Sequence, residues 1–257
     1  MIFAFPYHDP EGQYNKVFKN NLGLLKEIFS KIVVSVSPKT AKLNGSFVEY
    51  LKTNGLLVAN NSEKSVVGDH FRGALKIALD GSSEDIFYGF IDRVLFILES
   101  PKKQFFINDL KKCSKFDMVI FERSNKAWES HPKNYRQMED IVSRVGKLVI
   151  GKYVELNPCA MVFNSKTAQI LLDNSICELW EVLGEWVLIS LREKLNNKFC
   201  YVDWLEWEDP FWENTDPIKL KLLKEKNSEE TLKRIKSNLP FLNLFTQERF
   251  KSFFPTR

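Results

Sequence analysis

Ile2-Phe3-Ala4-Phe5-Pro6 is an apolar run of strand length that passes into the polar turn Tyr7-His8-Asp9-Pro10-Glu11-Gly12. Val17, Leu22, Leu24, Leu25, Ile28 and Phe29 follow at helical spacing, and Ile32-Val33-Val34-Ser35-Val36 ends at Ser37-Pro38. Strand, helix and strand in that order form a βαβ unit with an expected right-handed crossover. This opening decides how the rest of the chain is read.

The alternation continues outward from it. A short helix at residues 47–52 precedes a short strand at 56–59, and residues 67–79 read as a helix with Phe71, Leu75 and Ala78 on one stripe and Gly81 as its stop. Residues 86–91 are an apolar strand closed by Asp92-Arg93, helical spacing resumes at 94–98, and Met118-Val119-Ile120-Phe121 is another strand ending in Glu122-Arg123. Continuous apolar strands between helices predict an α/β fold, with a largely parallel, mixed central sheet covered by helices on both faces. The second half is more helical. Residues 134–150 carry a helical stripe with Gly151 as C-cap, residues 160–163 form a strand, Ser165 caps a helix, and residues 177–195 read as one long helix. The last forty or so residues read as two helices broken by Pro240. The expected division is an α/β domain over residues 1–215, with a helical extension over 216–257 packed on it.

Composition narrows the function classes. Of 257 residues, 44% are hydrophobic and 27% charged, which excludes a disordered or fibrous chain. Residues 216–257 hold ten Lys and Arg against five Asp and Glu, so the remaining 215 residues balance at 27 against 28. A nucleic-acid binder would carry its basic excess on the folded body, which demotes that class; docking of nucleic acid through residues 219–236 stays as a third reading. The four cysteines, Cys113, Cys159, Cys177 and Cys200, show no metal or redox spacing. With no signal-peptide pattern and no run of about twenty apolar residues, a cytoplasmic protein is expected.

In open α/β sheets, ligands gather beyond the carboxyl ends of the strands. Tyr7, His8 and Asp9 follow the first strand, Ser37 and Thr40 the second, Asp92 and Arg93 the central one, and Glu122, Arg123 and Ser124 the next. Asp92 suits a metal or a ribose hydroxyl, and Arg93 suits a phosphate. A local helix cap at Asp92 is the equal alternative. Asp69 and His70 open a helix whose amino end could hold an anion. A structural role is the commoner one for each of the three histidines, His8, His70 and His131. Residues 123–136 read as a long polar loop, of the kind that forms lids. Residues 201–213 pack five aromatics and five acids with no base. Rings and carboxylates together hold sugars, so Trp204, Glu206 and Asp209 are candidates for an acceptor hydroxyl or for acid–base work, against the alternative of a plug at the sheet edge.

Four features together resemble the nucleotide-diphospho-sugar transferase fold, the GT-A class, and loosely the glucosyl- and mannosyl-3-phosphoglycerate synthases. They are the turn Phe5-Pro6-Tyr7-His8-Asp9, the helix at 68–79 leading into the strand at 87–92, the stretch 157–163 before a helix, and the acidic residues 203–209. The likeness implies a transferase that moves a hexose from a nucleotide-sugar donor to an acceptor. It also puts Pro6, Tyr7 and Asp9 near base and ribose. In that class an Asp-x-Asp signature after the central strand holds Mg2+ or Mn2+. Here Asp92 supplies one acid, and Arg93 and Arg123 could neutralise a diphosphate with no cation at all. The missing acid also supports an alternative, a noncatalytic nucleotide- or glycan-binding module of the same fold.

Overall fold

The computed structural model describes residues 1–253. The first half alternates: β1 (Ile2–Tyr7), α1 (Asn15–Ile28), β2 (Lys31–Val36), α2 (Pro38–Leu43), α3 (Gly45–Thr53), β3 (Leu57–Asn60), α4 (Val67–Leu79), β4 (Ile86–Gly89), α5 (Ile91–Glu99) and α6 (Lys103–Leu110). Then come β5 (Met118–Arg123), α7 (Asn125–Ser130), α8 (Lys133–Ile150), β6 (Ala160–Phe163), α9 (Ser165–Asn174), α10 (Val182–Arg192), β7 (Asn197–Val202), α11 (Asp209–Trp212), α12 (Pro217–Lys226) and α13 (Ser228–Leu244).

The sheet order is β3-β2-β1-β4-β6-β5-β7. All neighbours pair in parallel except β6, which is antiparallel to both β4 and β5. Two antiparallel steps restore direction, so the carboxyl ends of β1, β2, β4, β5 and β7 share one edge. The expected largely parallel, mixed sheet is therefore present, with β6 as its antiparallel member.

Period-two alternation explains why the strands read as unbroken apolar runs. Ile2, Ala4, Ile86, Tyr88, Met118 and Ile120 face a core that includes α4, α9, α10 and α13. Phe3, Phe5, Phe87, Val119 and Phe121 face the opposite core, built with α1, α3, α5 and α6. The central strands β1, β4, β6 and β5 are thus buried at every position but Pro6, whichever way the residue points.

Several elements depart from the sequence expectation. β7 departs from the sequence reading because it is half-exposed, with polar Asn197 and Lys198 opening it and only Phe199–Val202 apolar. The expected helix at 177–195 begins only at Val182. The Cys177–Glu181 backbone is held out of it: the Gly68 N–H donates to Glu178 O at 2.7 Å, and the buried Glu185 carboxylate accepts the Ile176 N–H at 2.8 Å. The predicted polar loop at 123–136 is instead two helices, the first capped by Ser124, whose Oγ accepts the Ala127 N–H. Asn164 rather than Ser165 caps α9. Pro240 lies inside α13, while the break falls at Asn227, whose side chain accepts the Glu229 and Glu230 N–H groups. Gly151 ends α8 at φ 83° as expected, a left-handed turn that a side chain would strain. Phe241, Leu244 and Phe245 enter the same core as the sheet. Among the described residues, no helix is long and apolar enough to cross a membrane.

Candidate functional site

The tips of β1, β2 and β4 converge on a cleft of about 400 Å3. Pro6, Tyr7 and His8 come from the β1 tip, Ser37 from β2, and Phe90, Ile91 and Asp92 from the entry into α5. Tyr14 and Trp180 add aromatic walls, and Val67, His70 and Phe71 come from α4. The rings pack as a unit: Phe71 meets Trp180 edge-on at 5.7 Å, and Phe90 lies 6.1 Å from Trp180.

Local hydrogen bonds fix the rim. His8 Nδ1 lies 2.8 Å from Ser37 Oγ, joining the first two strand tips. Asp9 is buried, and its carboxylate accepts the Gln13 N–H at 2.8 Å, the Tyr14 N–H at 2.9 Å and the Tyr7 hydroxyl at 3.1 Å. It therefore holds the turn that presents Tyr7 and Tyr14. Burial, then the Asp9 carboxylate, raises the Tyr7 hydroxyl pKa well above the usual phenol range. Burial, then Asp92, does the same for Tyr14. Both rings stay neutral donors at any ordinary pH.

Asp92 sits in the first turn of α5, where its Oδ1 accepts the Arg93 N–H at 2.8 Å. Burial raises its pKa against the opposing pull of Arg93, and Asp209 adds to the rise. Burial lowers the pKa of His70, opposed by Asp69 and assisted by His8. The cleft can stack a flat ring, hydrogen-bond hydroxyls, and meet an anion with imidazole hydrogen bonds and the amino end of α5.

The structure separates the other candidates from this cleft. Arg93 is buried with its guanidinium turned to Glu208, 2.6 Å away, and to the Glu206 carbonyl. Arg123 is ion-paired with Glu139 and, at 3.1 Å, with Glu155. Burial opposes its charge, but those two carboxylates hold its pKa above the usual value. Neither guanidinium reaches the cleft, and among the described residues no Lys or Arg lines it. Asp69 caps α4, accepting the Val66 N–H at 3.1 Å, and pairs with Arg72. Trp204 is buried, its Nε1 donating to Asp109 at 3.1 Å. Glu206 pairs with Lys102 and lines a separate recess of about 410 Å3 with Trp207 and Phe211. Asp209 opens α11, 3.8 Å from Lys224. Tyr14, Phe90 and Trp180 were missed as cleft residues. Trp180 lay inside the over-long helix expectation, and Tyr14 carried no signal beyond its place before a helix.

No family model matches the chain, and no curated protein matches it in sequence. Solved structures do. Glucosyl-3-phosphoglycerate synthase from Mycobacterium tuberculosis, in a complex with Mn2+, uridine diphosphate and phosphoglyceric acid, superposes with a TM-score of 0.51 at 10% identity, covering 92% of this chain and 77% of that one. The chain shares the α/β fold of that synthase. A mycobacterial protein also superposes at 0.51, with 11% identity over 77% of this chain and 65% of its own.

Within this GT-A-like fold the donor set can be tested against a divalent cation. Among the described residues Asp92 is the one carboxylate lining the cleft, and one of its oxygens already accepts a backbone N–H. Among the described residues no three His, Cys, Asp or Glu side chains converge as a metal-binding group. Hard divalent cations ask for several oxygen ligands, so these residues do not fit a protein-built cation site.

Proposed function

We infer that this chain binds a nucleotide-activated sugar in the cleft over β1, β2 and β4 and is a glycosyltransferase-like protein. The observation that carries the reading is the convergence of three strand tips on one ring-lined hollow, at the edge where open α/β sheets take ligands. Its volume suits a small molecule rather than a polymer. The base stacks among Tyr14, Phe90 and Trp180, and Asp92 accepts a ribose or sugar hydroxyl. The diphosphate lies by His8, His70 and the amino end of α5 rather than by Arg93 and Arg123. The uridine diphosphate of the mycobacterial synthase makes uridine-linked sugars the first donors to examine.

A second reading, binding without transfer, is favoured by one observation: both candidate arginines are held in buried ion pairs. One experiment separates the two. Thermal unfolding is followed with UDP-glucose, GDP-mannose and ADP-glucose, with and without Mn2+, and nucleotide release is then measured by chromatography. Stabilisation by a donor with release supports transfer, whereas stabilisation without release selects the binding module. If no donor raises the melting temperature, the cleft assignment is wrong.

A further inference from the structure

The basic residues of α12 and α13 do not line the cleft, and the structure shows how they are displayed. In α12 the buried side chain is Leu220, while Ile218, Leu222 and Leu223 point outward. In α13, Phe241 and Leu244 are buried, while Leu232, Ile235 and Leu239 form an outward stripe at i, i+3 and i+7 spacing. These six aliphatic side chains are between 38% and 72% exposed.

The charges are sorted by direction. Lys219, Lys226, Lys233 and Lys236 are exposed on the same two helices. The inward lysines are occupied: Lys221 Nζ donates to Glu129 O at 2.7 Å, and Lys224 pairs with Glu213 at 2.8 Å. The acids mostly turn toward the body. Glu225 accepts the Lys133 N–H at 2.6 Å, and Glu230 accepts the Tyr135 hydroxyl and Arg234 Nε. The exposed acids, Asp216 and Glu229, sit at helix amino ends, where Asp216 caps α12.

We propose that the outward face of α12 and α13 docks on an anionic lipid surface. Lysines interleaved with aliphatic side chains match both layers of a membrane interface: the ammonium groups meet headgroup phosphates, and the leucines and isoleucines enter the acyl boundary. A second copy of this chain would bring four lysines against four lysines. A nucleic acid would satisfy the lysines but leave the aliphatic stripe in contact with phosphates, and neither exposed set includes an aromatic ring for stacking bases.

The test is co-sedimentation of the full chain with phosphatidylcholine vesicles, with and without phosphatidylglycerol. The proposal expects binding only where phosphatidylglycerol is present, weakened by salt. The combined variant K219Q/K226Q/K233Q/K236Q should lose about fivefold per lysine. L222S/L239S should weaken binding while keeping the salt dependence, because it removes buried area and no charge. Both sets are surface changes, and unchanged unfolding temperatures confirm that the fold persists. Absence of binding to anionic vesicles, equal binding by the lysine variant, a dimer that depends on Leu232 and Leu239, or retention by duplex DNA without vesicle binding would each overturn it.

Discussion

The guanidinium of Arg93 and the carboxylate of Glu208 lie 2.6 Å apart, both nearly closed off from solvent. Arg93 therefore points into the protein from the residue next to Asp92, which lines the cleft. Burial pushes the Glu208 carboxyl up to about 7, with Arg93 pulling it down and Asp92 adding to the rise. Removing one partner of a buried pair leaves the other uncompensated, so Arg93→Ala is expected to cost about 3–5 kcal/mol in chemical denaturation. Arg93→Met combined with Glu208→Gln should recover much of that loss. Donor affinity of the folded single variant should be unchanged; a selective loss of affinity with intact stability would instead return Arg93 to the binding site.

Asp92→Asn keeps an acceptor oxygen for the Arg93 N–H and removes the charge. Losing one charge-assisted hydrogen bond to a hydroxyl corresponds to about 1.5–3 kcal/mol, or roughly tenfold to a hundredfold in the dissociation constant measured by calorimetry. The unfolding temperature should hold or rise, because burial and Asp209 already disfavour the ionised carboxyl.

Trp180 is 46% exposed and forms a wall of the cleft, so Trp180→Ala should leave the fold intact. A stacked base is worth about 1–3 kcal/mol, and nucleotide affinity should fall accordingly. Gly68→Ala reaches the same wall indirectly: its Cβ would meet Cys177 O at 2.1 Å, forcing the 177–180 segment to move. Both variants should weaken donor binding in titration calorimetry, and Gly68→Ala should lower stability as well.

Two buried groups outside the cleft give opposite pH trends. Burial raises the Glu155 carboxyl from 4.5 to about 7 despite Arg123, so between those values the folded state holds a proton that the unfolded state has released. Its contribution to stability therefore falls as pH rises through that window. Glu155→Gln should gain on the wild type by more than about 1 kcal/mol from pH 5 to pH 7.5 in urea unfolding. Burial, with Arg123 and Arg93 adding to it, holds His131 well below the usual imidazole range. There the unfolded state binds the extra proton below about pH 6.5, so His131→Gln should gain on the wild type as pH falls. Parallel trends in the two variants would contradict this assignment.

The elements legible in the sequence are those whose burial is written in one dimension. β1, β2, β4, β5 and β6 are buried on both faces, so each appears as a continuous apolar run. β7 was illegible because it lies at the sheet edge and shares its burial with solvent. The start of α10 was illegible because the contacts that hold residues 177–181 out of helix come from Gly68 and from the Glu185 side chain.

The same division holds at the site. The sequence alone determines that charged and aromatic residues follow the strands, and Tyr7, His8 and Asp92 were found on that basis. It also determines an α/β sheet with two covered faces, because strands buried on both sides appear as continuous apolar runs, whereas the antiparallel direction of β6 is set by its pairing with β4 and β5. Only the tertiary structure decided that Asp92 lines the cleft while Arg93 turns to Glu208, and that Arg123 is enclosed by Glu139 and Glu155. Asp92 and Arg93, adjacent in a helix, point about 100° apart, so they meet different neighbours, and the carboxylates that enclose Arg93 and Arg123 come from other elements of the chain.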